Sequence, residues 1–140
     1  MVPYGIDKEK IFLQIERLNQ HIKRLQELNK MKNTPREAIE RNLQLAIEDC
    51  IIIGNHLISG FSFKRPETYK GIFQVLEEER VINGEVAKKM MTLVGVRNRL
   101  VHVYWEVKEN EIDSIIGNLE IFDKFIKQIF SFLKKKGEIK

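Results

Sequence analysis

The chain has 140 residues, 43% hydrophobic and 31% charged, with a formal net charge of +4 and one cysteine. That length fits a single domain over 1–140, and the composition excludes an intrinsically disordered chain. No run approaches the roughly 20 apolar residues of a membrane span, and Cys50 alone permits neither an internal disulfide framework nor a cysteine-rich zinc site.

Helical periodicity dominates, and strand-like alternation is absent. The first predicted helix runs from Asp7 to Met31, with Ile11, Ile15, Leu18, Ile22, Leu25 and Leu28 as one apolar stripe. Asn33 and Pro35 interrupt it. Thr34 as cap, Pro35 at the first helical position and Glu37 as the capping-box partner predict the start of a second helix. That helix carries Ile39, Leu43, Ala46, Ile47, Cys50, Ile51, Leu57 and Ile58 to a stop at Ser59-Gly60. Its wide apolar arc makes it central, or sets it between a core and a partner. Residues Phe61 to Glu67 read as a loop, followed by a short helix to Glu79 with Tyr69, Ile72, Phe73 and Leu76 inward.

Asn83-Gly84 is a turn signal. A fourth helix is expected from Glu85 to Tyr104 on the stripe Val86, Met90, Leu93, Val96, Leu100 and Val103. A last helix is expected from Glu111 to Lys135 on Ile112, Ile115, Leu119, Phe122, Ile126, Ile129 and Leu133, ending in a basic tail over about 134–140. The expected fold class is all-α: an up-and-down four-helix bundle with an additional short helix. The opening MVPYGIDKEK has no apolar segment of the signal-peptide kind, so a cytoplasmic location and no membrane association are expected.

Chemistry concentrates in RNRLVHVY, Arg97 to Tyr104. On a continuous helix Asn98 and His102, four apart, stack on one face, and Arg97 and Tyr104 share the neighbouring one. Arg97 beside a protonated His102 is repulsive unless an anion lies between them. A phosphate would satisfy both, with Arg97 as a bidentate donor and His102 as a proton-transfer group near neutral pH. Asn98 would orient the imidazole or the substrate. The spacing alone leaves three readings open: a satisfied structural histidine, a ligand site, and an acid–base site for phosphodiester cleavage. No cluster of His, Asp, Glu or Cys stands at ligand spacing, so neither a metal nor another cofactor is expected. Arg99 points away as a solvent or phosphate residue and, with Lys88 and Lys89, is a candidate RNA contact. His21 reads as solvated, Asn55-His56 as a helix-terminal pair that could approach the site, Glu48-Asp49 as a charged helix face that could supply a carboxylate to a cleft, and Trp105 as an interface or core-edge aromatic.

VGVRNRLVHVYWEV resembles the signature of the HEPN superfamily, specifically the HepT-like toxins of prokaryotic toxin–antitoxin pairs. Their pattern of Arg, four residues, His, one residue, Tyr falls on Arg97, His102 and Tyr104. RNLQLAIEDCIIIGNHLIS resembles that family's central helix, and RPETYKGIFQVLEEERVI the stretch before its motif helix, so the similarity runs from Asp7 to Phe132. Val103 departs from the small residue more usual after the histidine and leaves the key positions intact.

The resemblance implies an all-α homodimer whose motif helices meet at a cleft, acting as a metal-independent endoribonuclease toxin of a type II/VII-like system. It implies His102 as general acid or base, Arg97 as stabiliser of the transition-state charge, and Asn98 as support. It also implies a minimal nucleotidyltransferase antitoxin as partner, with Tyr104 as acceptor of AMP. A dimer also follows from shallowness, because one helix cannot enclose a phosphodiester whereas two copies about a two-fold axis can. The alternatives are a non-catalytic nucleotide- or partner-binding accessory module and a purely structural adaptor. Arg97 and His102 buried and mutually satisfied would favour the last.

Overall fold

A computed structural model describes residues 5–102 and 106–140. Six helices follow in order: α1 (Lys8–Lys30), α2 (Arg36–Gly60), α3 (Tyr69–Glu78), α4 (Gly84–Val101), α5 (Glu109–Ile116) and α6 (Glu120–Lys135). α1, α2, α4 and α6 are the four long members of the expected bundle. No strand occurs among the described residues.

Three of the six helix starts, those of α1, α3 and α4, are capped by a side chain. The Asp7 carboxylate accepts from the Lys10 amide at 3.2 Å, the Thr68 hydroxyl from the Gly71 amide at 3.0 Å, and the Asn83 side chain from the Val86 amide at 2.9 Å. These caps satisfy amides that a helix cannot pair internally. The capping box expected at Thr34 does not form. The cap of α2 is Pro35 without a side-chain bond, and Thr34 Oγ1 instead donates to the Leu28 and Met31 carbonyls at the end of α1. Asn33 takes a left-handed φ of 60° to turn the chain there, a conformation asparagine tolerates better than most residues.

Two expected helices are shorter than their periodicity suggested. The last one is cut at Gly117–Leu119 into α5 and α6. Gly117 and Asn118 are weak helix formers, and Asn118 Nδ2 caps the turn by donating to the Ser114 carbonyl at 2.8 Å. The apolar register survives the break, since Ile116, Leu119 and Phe122 are all buried. α4 stops at Val101, and His102 is already extended at φ −98° and ψ 119°. Beyond it, VHVYWEV is β-branched and aromatic on most positions, where helix propensity is low. Residues 103–105 lie outside the described residues.

α1 lies along α2, α3 packs on α2 and α4, and α4 contacts α2 and α6. Phe73, Phe122 and Phe125 are fully buried, and the Phe73 and Phe125 rings meet edge to face with centroids 5.8 Å apart, joining α3 to α6. A second aromatic group, Phe61, Phe63 and Phe132, ties the loop after α2 to the end of α6. α2 and α3 touch at Gly54, where a Cβ would sit 2.4 Å from the Ile72 Cγ2 methyl. Glycine is therefore what lets Ile72 approach the α2 backbone. No helix among the described residues is long and apolar enough to cross a membrane.

Candidate active site

The site is built where the last turn of α4 crosses the middle of α2. Arg97 is held from three sides. Its Nε donates to Glu48 Oε2 at 3.0 Å, its Nη1 donates to Asn98 Oδ1 at 3.2 Å, and the guanidinium carbon lies 5.1 Å from the centre of the Tyr69 ring. Gln44, one turn before Glu48, donates to the same carboxylate oxygen at 3.0 Å. A cation held over an aromatic face and against a carboxylate has little rotamer freedom left. Its side chain still keeps 20% of its surface in solvent, so it is fixed and reachable.

His102 stands exposed at the end of α4. Because the chain has left the helix there, Asn98 and His102 do not stack on one helical face as the sequence suggested. Asn98 faces Arg97 instead and orients the guanidinium. An exposed histidine does not fit the structural-adaptor reading, which required burial against Arg97. Tyr104 and Trp105 lie outside the described residues.

Of the candidate RNA contacts, Lys88 and Lys89 are exposed, more than two turns before Arg97, about 12 Å along the axis. Lys89 lines a separate cavity of about 350 Å³ between α4 and the α5–α6 corner. Arg99 is not free. It pairs in bidentate fashion with Glu111 at the start of α5, with Nη1 donating to Oε1 at 2.9 Å and Nη2 to Oε2. This pair bridges the connection that carries His102. The guanidinium holds the Glu111 carboxyl below its ordinary value, and the carboxylate raises Arg99.

A lowered folded-state carboxyl contributes stability above the ordinary glutamate value of 4.5, and that contribution is lost as pH falls through the lowered value. Glu111→Gln is expected to remove this part of the acid limb. The cost should be at most about 1 kcal/mol at neutral pH, because both side chains are about one third exposed. Urea midpoints of both proteins at pH 7 and below pH 4 check it: the difference present at pH 7 should shrink in acid.

Glu48 and Asp49 do not form one charged face. Glu48 turns to α4, whereas Asp49 is buried against α1. There Gln14 Nε2 donates to Asp49 Oδ1 at 2.7 Å, and His21 Nδ1 lies 2.5 Å from Oδ2. His21 is thus a partner of a buried carboxyl rather than a solvated residue. Burial pushes the Asp49 carboxyl up, opposed by His21, Gln14 and Arg17. Tyr69, expected inward, is 45% exposed. It opens α3 before the buried run Ile72, Phe73, Val75 and Leu76, and its ring lies along Arg97 rather than in the core. Tyr69 and Gln44 were not legible as site residues, being far from the motif in sequence. The one local hint was an aromatic between Thr68 and Lys70 at a helix start. Among the described residues no group of three His, Cys, Asp or Glu could hold a metal ion.

Residues 11–129 match the family model described as ribonuclease HepT-like. The chain is 32% identical over 95 residues to the tRNA nuclease HepT of Aphanizomenon flos-aquae, a match spanning 67% of this chain and 65% of that protein. It is 28% identical over 126 residues to the mRNA nuclease HepT of Shewanella oneidensis, spanning 85% of this chain and 95% of that one. Among solved structures, the tri-AMPylated Shewanella oneidensis HEPN toxin in complex with MNT antitoxin matches with a TM-score of 0.80 at 27% identity, over 86% of this chain and 96% of that chain. Arg97, Asn98 and His102 thus sit at the end of a helix inside a fold and a sequence span that agree on one assignment: the chain belongs to the HepT-like ribonuclease family.

Proposed function

We propose that this protein is an endoribonuclease toxin that cleaves RNA without a metal ion and is neutralised by a nucleotidyltransferase antitoxin. The observation that carries the reading is an arginine fixed by Glu48, Asn98 and Tyr69, yet open to solvent, five residues before an exposed histidine in a HepT-like chain. In the reaction, the ribose 2′-oxygen loses its proton to a base and attacks the adjacent phosphorus. The bond from phosphorus to the 5′-oxygen breaks, and that oxygen takes a proton. The products are a 2′,3′-cyclic phosphate and a 5′-hydroxyl. His102 moves one of these protons, and Arg97 stabilises the charge that builds on the non-bridging oxygens.

The working unit is a homodimer in the cytoplasm. Ile52 lies one turn beyond Glu48 on α2, and Val101 one turn beyond Arg97 on α4; both are exposed apolar side chains beside the site. A second copy meeting this face would bury them, and it would set two arginines and two histidines around one phosphodiester. The Shewanella oneidensis relative carries AMP and sits with its antitoxin. Here the acceptor is the Tyr104 hydroxyl, and an anionic group two residues from His102 repels RNA and fills the cleft.

The test is cleavage of a mixed RNA pool by unmodified protein in excess EDTA, beside His102→Ala. Cleavage by the wild type alone, leaving cyclic phosphate ends, is the expected result. Absence of cleavage by unmodified wild type would leave the accessory-module reading, with the same residues binding an anion or the antitoxin.

A further inference from the structure

We infer that Tyr69 is a base-stacking platform, so that the site grips a nucleobase next to the phosphate it cuts. The inference rests on the ribonuclease reading and extends it from phosphate chemistry to how the strand is held.

Tyr69 is an aromatic with 45% of its surface in solvent, more open than Phe12 at 38%, the one exposed phenylalanine. Burying an aromatic side chain is worth a few kcal/mol, so leaving one this open calls for a reason. The ring has no aromatic neighbour among the described residues; its close partner is the Arg97 guanidinium, 5.1 Å from the ring centre. Whatever phosphate Arg97 binds therefore lies within one nucleotide of the Tyr69 ring. The two side chains offer the pair of features that single-stranded nucleic acid recognises, a cation for the backbone and a π-face for a base.

The setting extends the pattern. Lys70 follows Tyr69 and is exposed, and its ammonium lies 3.7 Å from where a Cβ on Gly95 of α4 would sit. The start of α3 thus presents an aromatic with two cations, Arg97 and Lys70, on the side that meets α4. Base stacking is tolerant of base identity, so Tyr69 grips any unpaired base. The substrate class is single-stranded RNA, such as a loop or an open end, rather than a duplex whose bases are already stacked.

The experiment crosses the residue with the base. Strands are centred on a bond the wild type cuts, with either a normal nucleotide or an abasic residue on each side of it. The wild type should lose roughly 5- to 100-fold in kcat/KM when the base on one side is removed. Tyr69→Ala should lose the discrimination, cutting the normal and abasic strands at similar rates whatever its overall rate with Arg97 less well held, while Tyr69→Trp keeps the discrimination. The same comparison is made by anisotropy on fully 2′-O-methylated strands, which cannot be cut, using a mixed-sequence strand if no bond is cleaved.

If Tyr69→Ala discriminates base from abasic as well as the wild type does, the inference is overturned and the ribonuclease reading stands. The inference is equally overturned if the only effect of Tyr69→Ala is a changed oligomeric state by light scattering. If the wild type cuts nothing yet binds the base-bearing strand more tightly than the abasic one, and Tyr69→Ala binds the two alike, the ribonuclease reading fails and the platform stands.

Discussion

Replacing Arg97 by lysine is expected to cut RNA cleavage by roughly 100- to 1,000-fold, and replacing it by alanine by more, with the helical fold intact in both. The reason is geometric as much as electrostatic. The guanidinium here spends its Nε on Glu48 and one Nη1 bond on Asn98. Those contacts aim its remaining N–H groups outward in a fixed plane. A lysine keeps the charge but offers a single flexible point, unable to hold Glu48 and face two phosphate oxygens together. The loss should fall on kcat rather than KM, since the charge being stabilised is greatest in the transition state. Initial rates on one strand, with circular dichroism as the control for folding, decide the matter. A lysine variant with wild-type kcat would remove Arg97 from the chemistry and leave it as a structural partner of Glu48.

That expectation draws on both the sequence and the structure. The family was legible: the spacing of Arg97, His102 and Tyr104 with its flanks pointed to it, and the match over residues 11–129 agrees. So were the four long helices, because their apolar stripes are dictated by what must be buried. Harder to read was anything set by a partner distant in sequence. Glu48 is 49 residues from Arg97, and nothing in IEDC says that Glu48 turns to α4 while its neighbour Asp49 is buried against Gln14 and His21. Adjacent residues on a helix point about 100° apart, so on a helix flanked by two others they meet different partners. The shortened α4 was missed for a different reason. The apolar spacing continues through Val103 in the sequence, but the helix ends at Val101 with His102 already extended, and periodicity alone does not weigh the low helix propensity of a β-branched and aromatic run. Thr34 shows the same competition locally: its hydroxyl had two helix ends within reach and took the carbonyls of α1.

The largest effect on stability is expected at Phe125. Its side chain is fully buried on α6, and its ring meets the Phe73 ring edge to face at 5.8 Å. Phe125→Ala should cost about 3–5 kcal/mol, the range for a core phenylalanine whose site cannot collapse. Collapse is resisted here because Phe73 and Phe125 sit on different helices that are each fixed elsewhere. α3 is fixed through Ile72 against Gly54 of α2, and α6 through Phe132 against Phe61 and Phe63. A loss of that size is a large part of the stability of a domain this long. The consequence reaches the site, since α3 carries Tyr69 and packs on both α2 and α4, which carry Glu48 and Arg97. Urea unfolding should show the midpoint falling steeply with the slope unchanged. Phe125→Leu should recover most of the loss, because it restores much of the volume. A Phe125→Ala variant less than about 1 kcal/mol below wild type would mean that α6 is dispensable to the core, and that the bundle holding Arg97 rests on α1 to α4 alone.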